Sequence, residues 1–389
     1  MRYVQSLALE PRKRNTGTNR ESFRFHDMAG RPSTFTLQFI CDGKHYEYGL
    51  NLDDEGVFQE WLFRINGGKH RSIYQRVTSA AGEVKIELPK AAKPKLAALA
   101  TVGGPPNQTF LATVQATLDP EDFGPDLAAV LTWFKSTLCL IAPDESFVSL
   151  AHAMLDDPGL LTFAGEFLKT SSTGVDRLEV TKTEVTEEQL NRLLQSRVWQ
   201  KILADAKGSE DGAPVRLGDG HEIVAEREGG SKIYQMRIQA AHEQPSGTTV
   251  PLELDEESDG TRRLLNLLPA LHRLRSGSGV YFIDEIDRSL HPILVRAFLE
   301  FFLKNSAGGP SQIIVTTHES SLLDQNLLRR DEIWFAEKDH QSATRLYSLL
   351  DFKVRNDMEL RKHYLQGRFG AVPFIGGLDN LIPQVEERR

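Results

Sequence analysis

Cysteine is nearly missing from these 389 residues: there are only two, Cys41 and Cys139. Neither sits in a paired metal-ligand spacing, and two cannot build a disulfide framework, so the expected setting is reducing and cytoplasmic. No run of about eighteen apolar residues occurs, and no membrane partner is expected. Residues 1–20 lack the apolar stretch of a signal peptide. Basic residues are not in excess either. The 46 Lys and Arg against 54 Asp and Glu give a net charge of −8 and a pI near 5.8, which excludes a protein coated in positive charge. A local nucleic-acid patch would survive that balance, so nucleic acid stays an unproven partner. Arg12, Lys13, Arg14 and Arg20 read as a solvated end rather than a DNA site. There is no internal repeat, and low complexity is limited to 90–99, rich in Lys, Ala and Pro, which reads as a solvated connection.

What is present is an ordinary globular composition, 40% hydrophobic and 26% charged, long enough for about two to three domain-sized units. Over 33–76 the residues alternate: Phe35, Leu37 and Phe39, then Tyr46, Tyr48, Leu50 and Leu52. Turn signals at Asp42-Gly43, Asp54-Glu55-Gly56 and Asn66-Gly67-Gly68 separate the runs, so an antiparallel meander is expected. Leu127, Val130, Leu131, Phe134, Leu138 and Ile141 recur at helical spacing and predict a helix over 126–142. From 145 to 207 the pattern is mostly helical, with a helix start at Thr186-Glu187-Glu188-Gln189, and short strand candidates follow at 222–225 and 233–238. The last third predicts helix 261–274, strand 279–283, helix 292–304, strand 312–316, helix 320–329 and strand 332–335, the alternation of a parallel α/β sheet. The division expected is an antiparallel β lobe (1–125), a helical arm or insert (126–250) and an α/β half (251–389).

Chemistry concentrates in that last part. Val280-Tyr281-Phe282-Ile283-Asp284-Glu285 reads as a strand buried on both faces and ending in two carboxylates. Ligands of open parallel sheets bind beyond such strand ends, and a carboxylate pair there suits Mg²⁺ and a nucleotide. Taken alone, the run is equally an ordinary strand end or a helix cap. Upstream, Ser258-Asp259-Gly260-Thr261-Arg262-Arg263 opens a leucine-rich helix. Its cap and glycine would aim free N–H groups at an anion, or serve an ordinary core helix. Pro269 should kink that helix or relax its middle. Pro292 suits the first turn of the helix after Asp287 to His291. Downstream, Gln312-Ile313-Ile314-Val315-Thr316-Thr317-His318 is expected as a second buried strand that delivers an imidazole to the same rim.

In this order the motifs resemble the ABC-type ATPase heads of the SMC, RecF and OLD group. They are closer to the AAA-annotated bacterial ATPases of the RloA and abortive-infection kind, strongly over 250–375 and more weakly over 30–250. The resemblance implies an ABC-ATPase-like α/β head with a mixed or parallel sheet, and ATP and Mg²⁺ as its cofactors. It casts 258–263 as the signature, with Ser258, Gly260 and Thr261 on the nucleotide. Asp284 becomes the Mg²⁺-site acid and Glu285 the catalytic base. Asp287 and His291 fall in the D-loop region and count among the nucleotide-binding residues, and His318 is the switch histidine, catalytic with Glu285. It further implies a head-to-tail homodimer enclosing two ATPs, acting as motor or sensor in phage defence or DNA transactions, with an effector nuclease or toxin supplied in trans.

The G-x-x-x-x-G-K-[ST] phosphate loop that this family requires does not occur; Gly43-Lys44-His45 and Gly68-Lys69-His70 lack its first glycine and its closing hydroxyl. Residues 1–4 look like the tail of the helix that would follow such a loop. A start shortened at its N-terminus is therefore expected, the alternative being a degenerate head that acts as a nucleotide-insensitive scaffold. An OLD-type nuclease is disfavoured, because the 71 residues after His318 hold no matching acid cluster.

Overall fold

The computed structural model describes residues 1–13, 16–25, 28, 30–143, 149–186, 215–218, 221–226, 232–275, 277, 279–306, 309–355 and 358–373. The chain divides into two units: Met1–Ser22 with Gly30–Thr317, and Phe23–Ala29 with His318–Arg389.

The first unit begins with α1 (Arg2–Leu9), which buries Val4, Leu7 and Ala8. The meander follows as β1 (Ser33–Cys41), β2 (Lys44–Leu52), β3 (Val57–Asn66), β4 (Lys69–Thr78) and β5 (Val84–Glu87), paired in sequence order and antiparallel throughout. Asp42 and Gly43 join β1 to β2 with φ of 50° and 69°, the two positive dihedrals that a two-residue turn matched to strand twist requires. The inner face of this sheet closes on α2 (Pro94–Val102), α3 (Phe110–Thr117) and α4 (Pro125–Thr132), with α1 in the same core. Phe39 stacks on Trp133 at 4.1 Å between ring centres, and Tyr48 meets Phe134 edge-on. Burying each such aromatic contributes about 1.5–3 kcal/mol relative to exposure.

The centre of that core is polar. Glu60, 1% exposed, accepts the hydroxyls of Tyr48 (3.1 Å) and Tyr74 (2.6 Å) and the N–H groups of Phe110 and Leu111 at the start of α3. Arg76, equally buried, donates to the carbonyls of Val57, Pro105 and Pro106. A second buried glutamate repeats the device: Glu222 accepts the N–H groups of Ala151 and His152 at the start of α5 (Leu150–Asp156).

After α4 a single π-helical turn (Trp133–Thr137) runs into β6 (Leu138–Ile141). Then come α5 and α6 (Pro158–Thr170), and an antiparallel sheet of β7 (Arg177–Glu184), β8 (Val215–Gly218), β9 (His221–Glu226), β10 (Lys232–Glu243) and β11 (Thr249–Glu253). β10 is its spine: β7 pairs along 234–241, β9 along 232–237 and β11 along 239–243. The unit closes with α7 (Asp259–His272), β12 (Val280–Ile283), α8 (Pro292–Ser306) and β13 (Gln312–Val315). β12 lies between β6 and β13, parallel to both. Tyr281 packs edge-on against Phe302 of α8, while Val280 and Phe282 reach the core under the meander.

Among its described residues the second unit holds a hairpin, β14 (Trp334–Lys338) with β15 (Thr344–Ser348), and α9 (Leu360–Leu365). Its core groups Phe335, Phe369 and Leu349 with Tyr347, Phe352 and Tyr364.

Several expectations change. Residues 138–141 continue no helix; they form β6, because a short run that is apolar at every position fits a covered strand as well as a helix turn. Arg177–Glu184, expected within a helical stretch, is a strand, and its β-branched Val180, Thr181 and Thr183 suit one. The predicted connection at 90–99 carries α2, whose Leu96 and Ala100 are buried. Residues 320–329 hold a single 3₁₀ turn, Ser320–Leu322, and β14 pairs antiparallel with β15 instead of extending the parallel sheet. β13 is half-buried rather than buried, as the outer strand of its sheet. α7 runs on through Pro269. The helix expected after Thr186 lies outside the described residues.

Burial pushes the Glu60 carboxyl above its ordinary value of 4.5. A raised folded value favours the protonated form, so this contribution to stability is full below 4.5 and is lost as pH rises through the folded value. Denaturant unfolding should show stability falling with rising pH in that window relative to Glu60→Gln, whereas parallel profiles would contradict it. Glu60→Leu, which strands two phenols and two amides, should cost about 3–5 kcal/mol.

Candidate functional site

Main-chain pairing alone brings the ends of β6, β12 and β13 to one rim. The Asp284 N–H bonds the Ile141 carbonyl (2.9 Å), the Thr316 N–H bonds the Ile283 carbonyl (3.0 Å), and the Ile286 N–H returns to the Thr316 carbonyl (3.0 Å). Asp284 is therefore exposed at the end of the middle strand, with Glu285 half-buried beside it and Ile286 anchored in the core.

The carboxylates of Asp284 and Asp287 are held by hydroxyls from just past the end of β13. Thr316 Oγ1 donates to Asp284 Oδ1 (2.5 Å) and accepts the Glu285 N–H (2.8 Å). Thr317 Oγ1 donates to Asp287 Oδ1 (2.6 Å). Glu285 itself has φ of +46°. For a residue with a Cβ this left-handed backbone costs roughly 1–2 kcal/mol, and such residues persist only where neighbours hold them. Here both sides of the residue are held. Thr316 takes its N–H, and its carbonyl accepts from the Arg288 N–H (3.0 Å) and from Arg263 (3.2 Å).

Arg263 comes from α7. The helix starts at Ser258, whose Oγ accepts the Thr261 N–H (3.1 Å) and pairs with the Thr261 hydroxyl (2.9 Å). Arg262 bonds Asp259 on the outer side of the first turn. Gly260 lies against the segment after the acids: a Cβ at this position would stand 2.8 Å from the Ser289 carbonyl oxygen, so only glycine allows this approach. Ser289 is itself left-handed, at φ +59°. His291 caps α8, its Nδ1 accepting the Ile293 N–H (3.2 Å) and its carbonyl the Leu294 N–H (2.8 Å).

α7 is also tied at its ends. Glu257, just before the cap, meets His242 of β10 at 2.6 Å, and His272 meets Asp157, the cap of α6, at 2.9 Å. The bond from His272 is the main reason the Asp157 carboxyl sits below its ordinary range.

The structure thus joins Ser258, Gly260, Thr261, Asp284, Glu285 and Asp287 through short bonded steps within one unit. His291 sits one helix start further along, and His318 opens the second unit, exposed. Sequence reasoning passed over Arg263 and the two threonines as holders of the acids. An arginine on an amphipathic helix gives no sign of facing inward; Thr316 and Thr317 carried a signal only as polar residues ending an apolar strand. Among the described residues no group of three or more His, Cys, Asp or Glu is placed to hold a metal ion. Asp284 offers one hard carboxylate at a solvent-facing rim, which fits Mg²⁺ held mainly by phosphate oxygens and water.

Residues 160–324 match a family model described as AAA domain, putative AbiEii toxin, Type IV TA system. This segment is similar to an AAA-type ATPase domain. It contains the capped start of α7, the acids and the Thr-Thr-His edge, and the match supports a nucleotide-binding ATPase; families of this kind generally use ATP and Mg²⁺. No curated protein matches the chain. The SMC head domain from Thermotoga maritima aligns with 79% of this chain and 74% of its own at 12% identity, with a TM-score of 0.28. An SmcHead bound to the C-winged helix domain of ScpA aligns over 78% and 74% at 14% identity, with a TM-score of 0.29. Superpositions that loose fix no residue correspondence. Among the described residues no helix is long and apolar enough to cross a membrane.

Alanine normally improves a helix position held by glycine by about 0.5–1 kcal/mol. Gly260→Ala should do the reverse, because its methyl meets the Ser289 carbonyl, and should lower stability by about 1–3 kcal/mol. Thermal unfolding decides the sign; a stabilised variant would show that the close approach is not real.

Proposed function

We propose that this chain supplies the hydrolytic side of an ABC-type ATPase site, with Asp284 serving the Mg²⁺ of bound ATP and Glu285 as general base. What supports this best is the left-handed Glu285 at the end of the middle strand, gripped by Thr316 and Arg263. Backbone strain held in place from two sides gathers at functional positions. When bound, the metal ion neutralises charge building on the phosphates.

Glu285 would orient a water and draw off its proton as the water oxygen bonds the γ-phosphorus. The β–γ phosphoanhydride bond breaks, and its bridging oxygen leaves with ADP. Thr316 keeps Asp284 and the Glu285 main chain in register during this step. Ser258, Gly260 and Thr261 would face the nucleotide of a second protomer in a head-to-tail homodimer. Asp287 and His291 would lie at that contact, and His318 is assigned to the γ-phosphate by resemblance alone. The output would drive an effector nuclease or toxin in trans, as in phage defence.

The 389 residues contain no G-x-x-x-x-G-K-[ST] phosphate loop, so in this reading the cradle for the β- and γ-phosphates would be supplied in cis or by a partner. The chain alone should therefore retain Mg²⁺·ATP poorly on a filter, and tight retention would contradict this. Supplied with such a loop, in cis or by a partner, the site should turn over ATP. Glu285→Gln should then slow turnover by about 10²–10⁴-fold while ATP stays bound; an undiminished rate sinks the assignment. The missing loop also favours a second reading, a scaffold that keeps the fold without using nucleotide. Light scattering on the protein supplied with such a loop separates the two: the ATPase reading expects dimers in Mg²⁺·ATP with Glu285→Gln, the scaffold reading no response.

A further inference from the structure

We infer that Arg263 is a positioning residue for the strand-end acids, a role that rests on the ATPase reading for its purpose but not for its geometry. Arg263 is only 4% exposed although it lies in the second turn of a helix whose start faces solvent. An arginine on an amphipathic helix ordinarily runs its stem along the surface and leaves its head in water. Burying a guanidinium costs several kcal/mol unless its donors are matched. Its Nη1 donates to the Ala142 carbonyl (2.8 Å), and its Nη2 to the carbonyls of Asp284 (2.9 Å) and Glu285 (3.2 Å).

These acceptors are main-chain oxygens just past the ends of two neighbouring parallel strands, β6 and β12. Ordinary strand pairing leaves the carbonyls there without a ladder partner. A planar fork with fixed donor directions bridges them; an ammonium offers its three donors from a single nitrogen and lacks that fork. The consequence falls on Glu285. Its carbonyl accepts from Arg263 and from the Arg288 N–H (3.0 Å), and its N–H is held by Thr316, so Arg263 supplies one of the three bonds that hold the left-handed dihedral that sets where the carboxylate points. Arg263 leaves α7 less than two turns after Ser258, and Gly260 of the same helix touches the Ser289 carbonyl. A shift at the start of α7 therefore reaches the acids through one side chain.

The test uses the full 389-residue chain as wild type, Arg263→Lys and Arg263→Met. Three readouts are needed: thermal unfolding, amide hydrogen exchange, and Mn²⁺ binding by water-proton relaxation with Asp284→Asn as the reference for a lost site. The expected result is exchange about tenfold or more faster at Glu285 and Ile286 in both variants, with β10 unchanged. Mn²⁺ affinity should fall about fivefold or more even in Arg263→Lys, which keeps the charge and loses the fork. Arg263→Lys carries the test if Arg263→Met does not fold. Exchange at 285–286 equal to wild type, or a rise shared evenly with β10, overturns the proposal, as does unchanged Mn²⁺ affinity in a protein whose Asp284→Asn variant loses it. If the nucleotide-free wild type binds no Mn²⁺, as a single carboxylate whose metal is held mainly by phosphate allows, the exchange data alone decide Arg263, and the ATPase reading is decided separately by the Glu285→Gln turnover.

Discussion

The site depends on β12 having a parallel neighbour on each side. Ile283 is level with Ile141 on one flank and Val315 on the other, so Asp284 emerges between Ala142 and Thr316. Remove β6 and the Arg263 fork loses one of its acceptors. Remove β13 and both hydroxyls that hold acids disappear. Parallel pairing also makes the three strands end at the same rim, which is where ligands of such sheets bind. The acids are therefore placed by hydrogen-bond register before any side chain contributes.

α7 connects this rim to the rest of the first unit. Its front is tied to β10 through Glu257 and His242, its rear to α6 through His272 and Asp157, and its second turn to the strand ends through Arg263. Its buried Leu264, Leu265, Leu267, Leu268 and Leu271 make it a rigid member of the core. A displacement of β10 or α6 thus has a bonded path to Glu285. In an ATPase that senses or moves something, this is the kind of discrete element through which two sites influence each other.

The sequence made the acids, the capped helix start and the meander legible because each is written locally. Alternation over 33–76, Asp-Gly and Gly-Gly turns, and an apolar run ending in Asp284-Glu285 need no partner to be recognised. The sheet that orders the site was less legible. Leu138 to Ile141 satisfy helical spacing with Phe134, and only their register against β12 shows them to be a strand. Trp334 and Phe335 read as one more parallel strand until β15 supplies an antiparallel partner. Arg263 was least legible of all. Its acceptors are main-chain carbonyls 21, 22 and 121 residues away, and main-chain carbonyls carry no residue signature.

The most direct measurement is a crystal structure of the chain supplied with a phosphate loop, in cis or by a partner, grown with Mn²⁺ and a non-hydrolysable ATP analogue. The account predicts an anomalous Mn²⁺ peak within direct or single-water reach of the Asp284 carboxylate. The terminal phosphate should lie beside Glu285, whose backbone stays left-handed under Arg263. A nucleotide and its metal bound elsewhere, with the 284–287 segment facing only solvent, would contradict it.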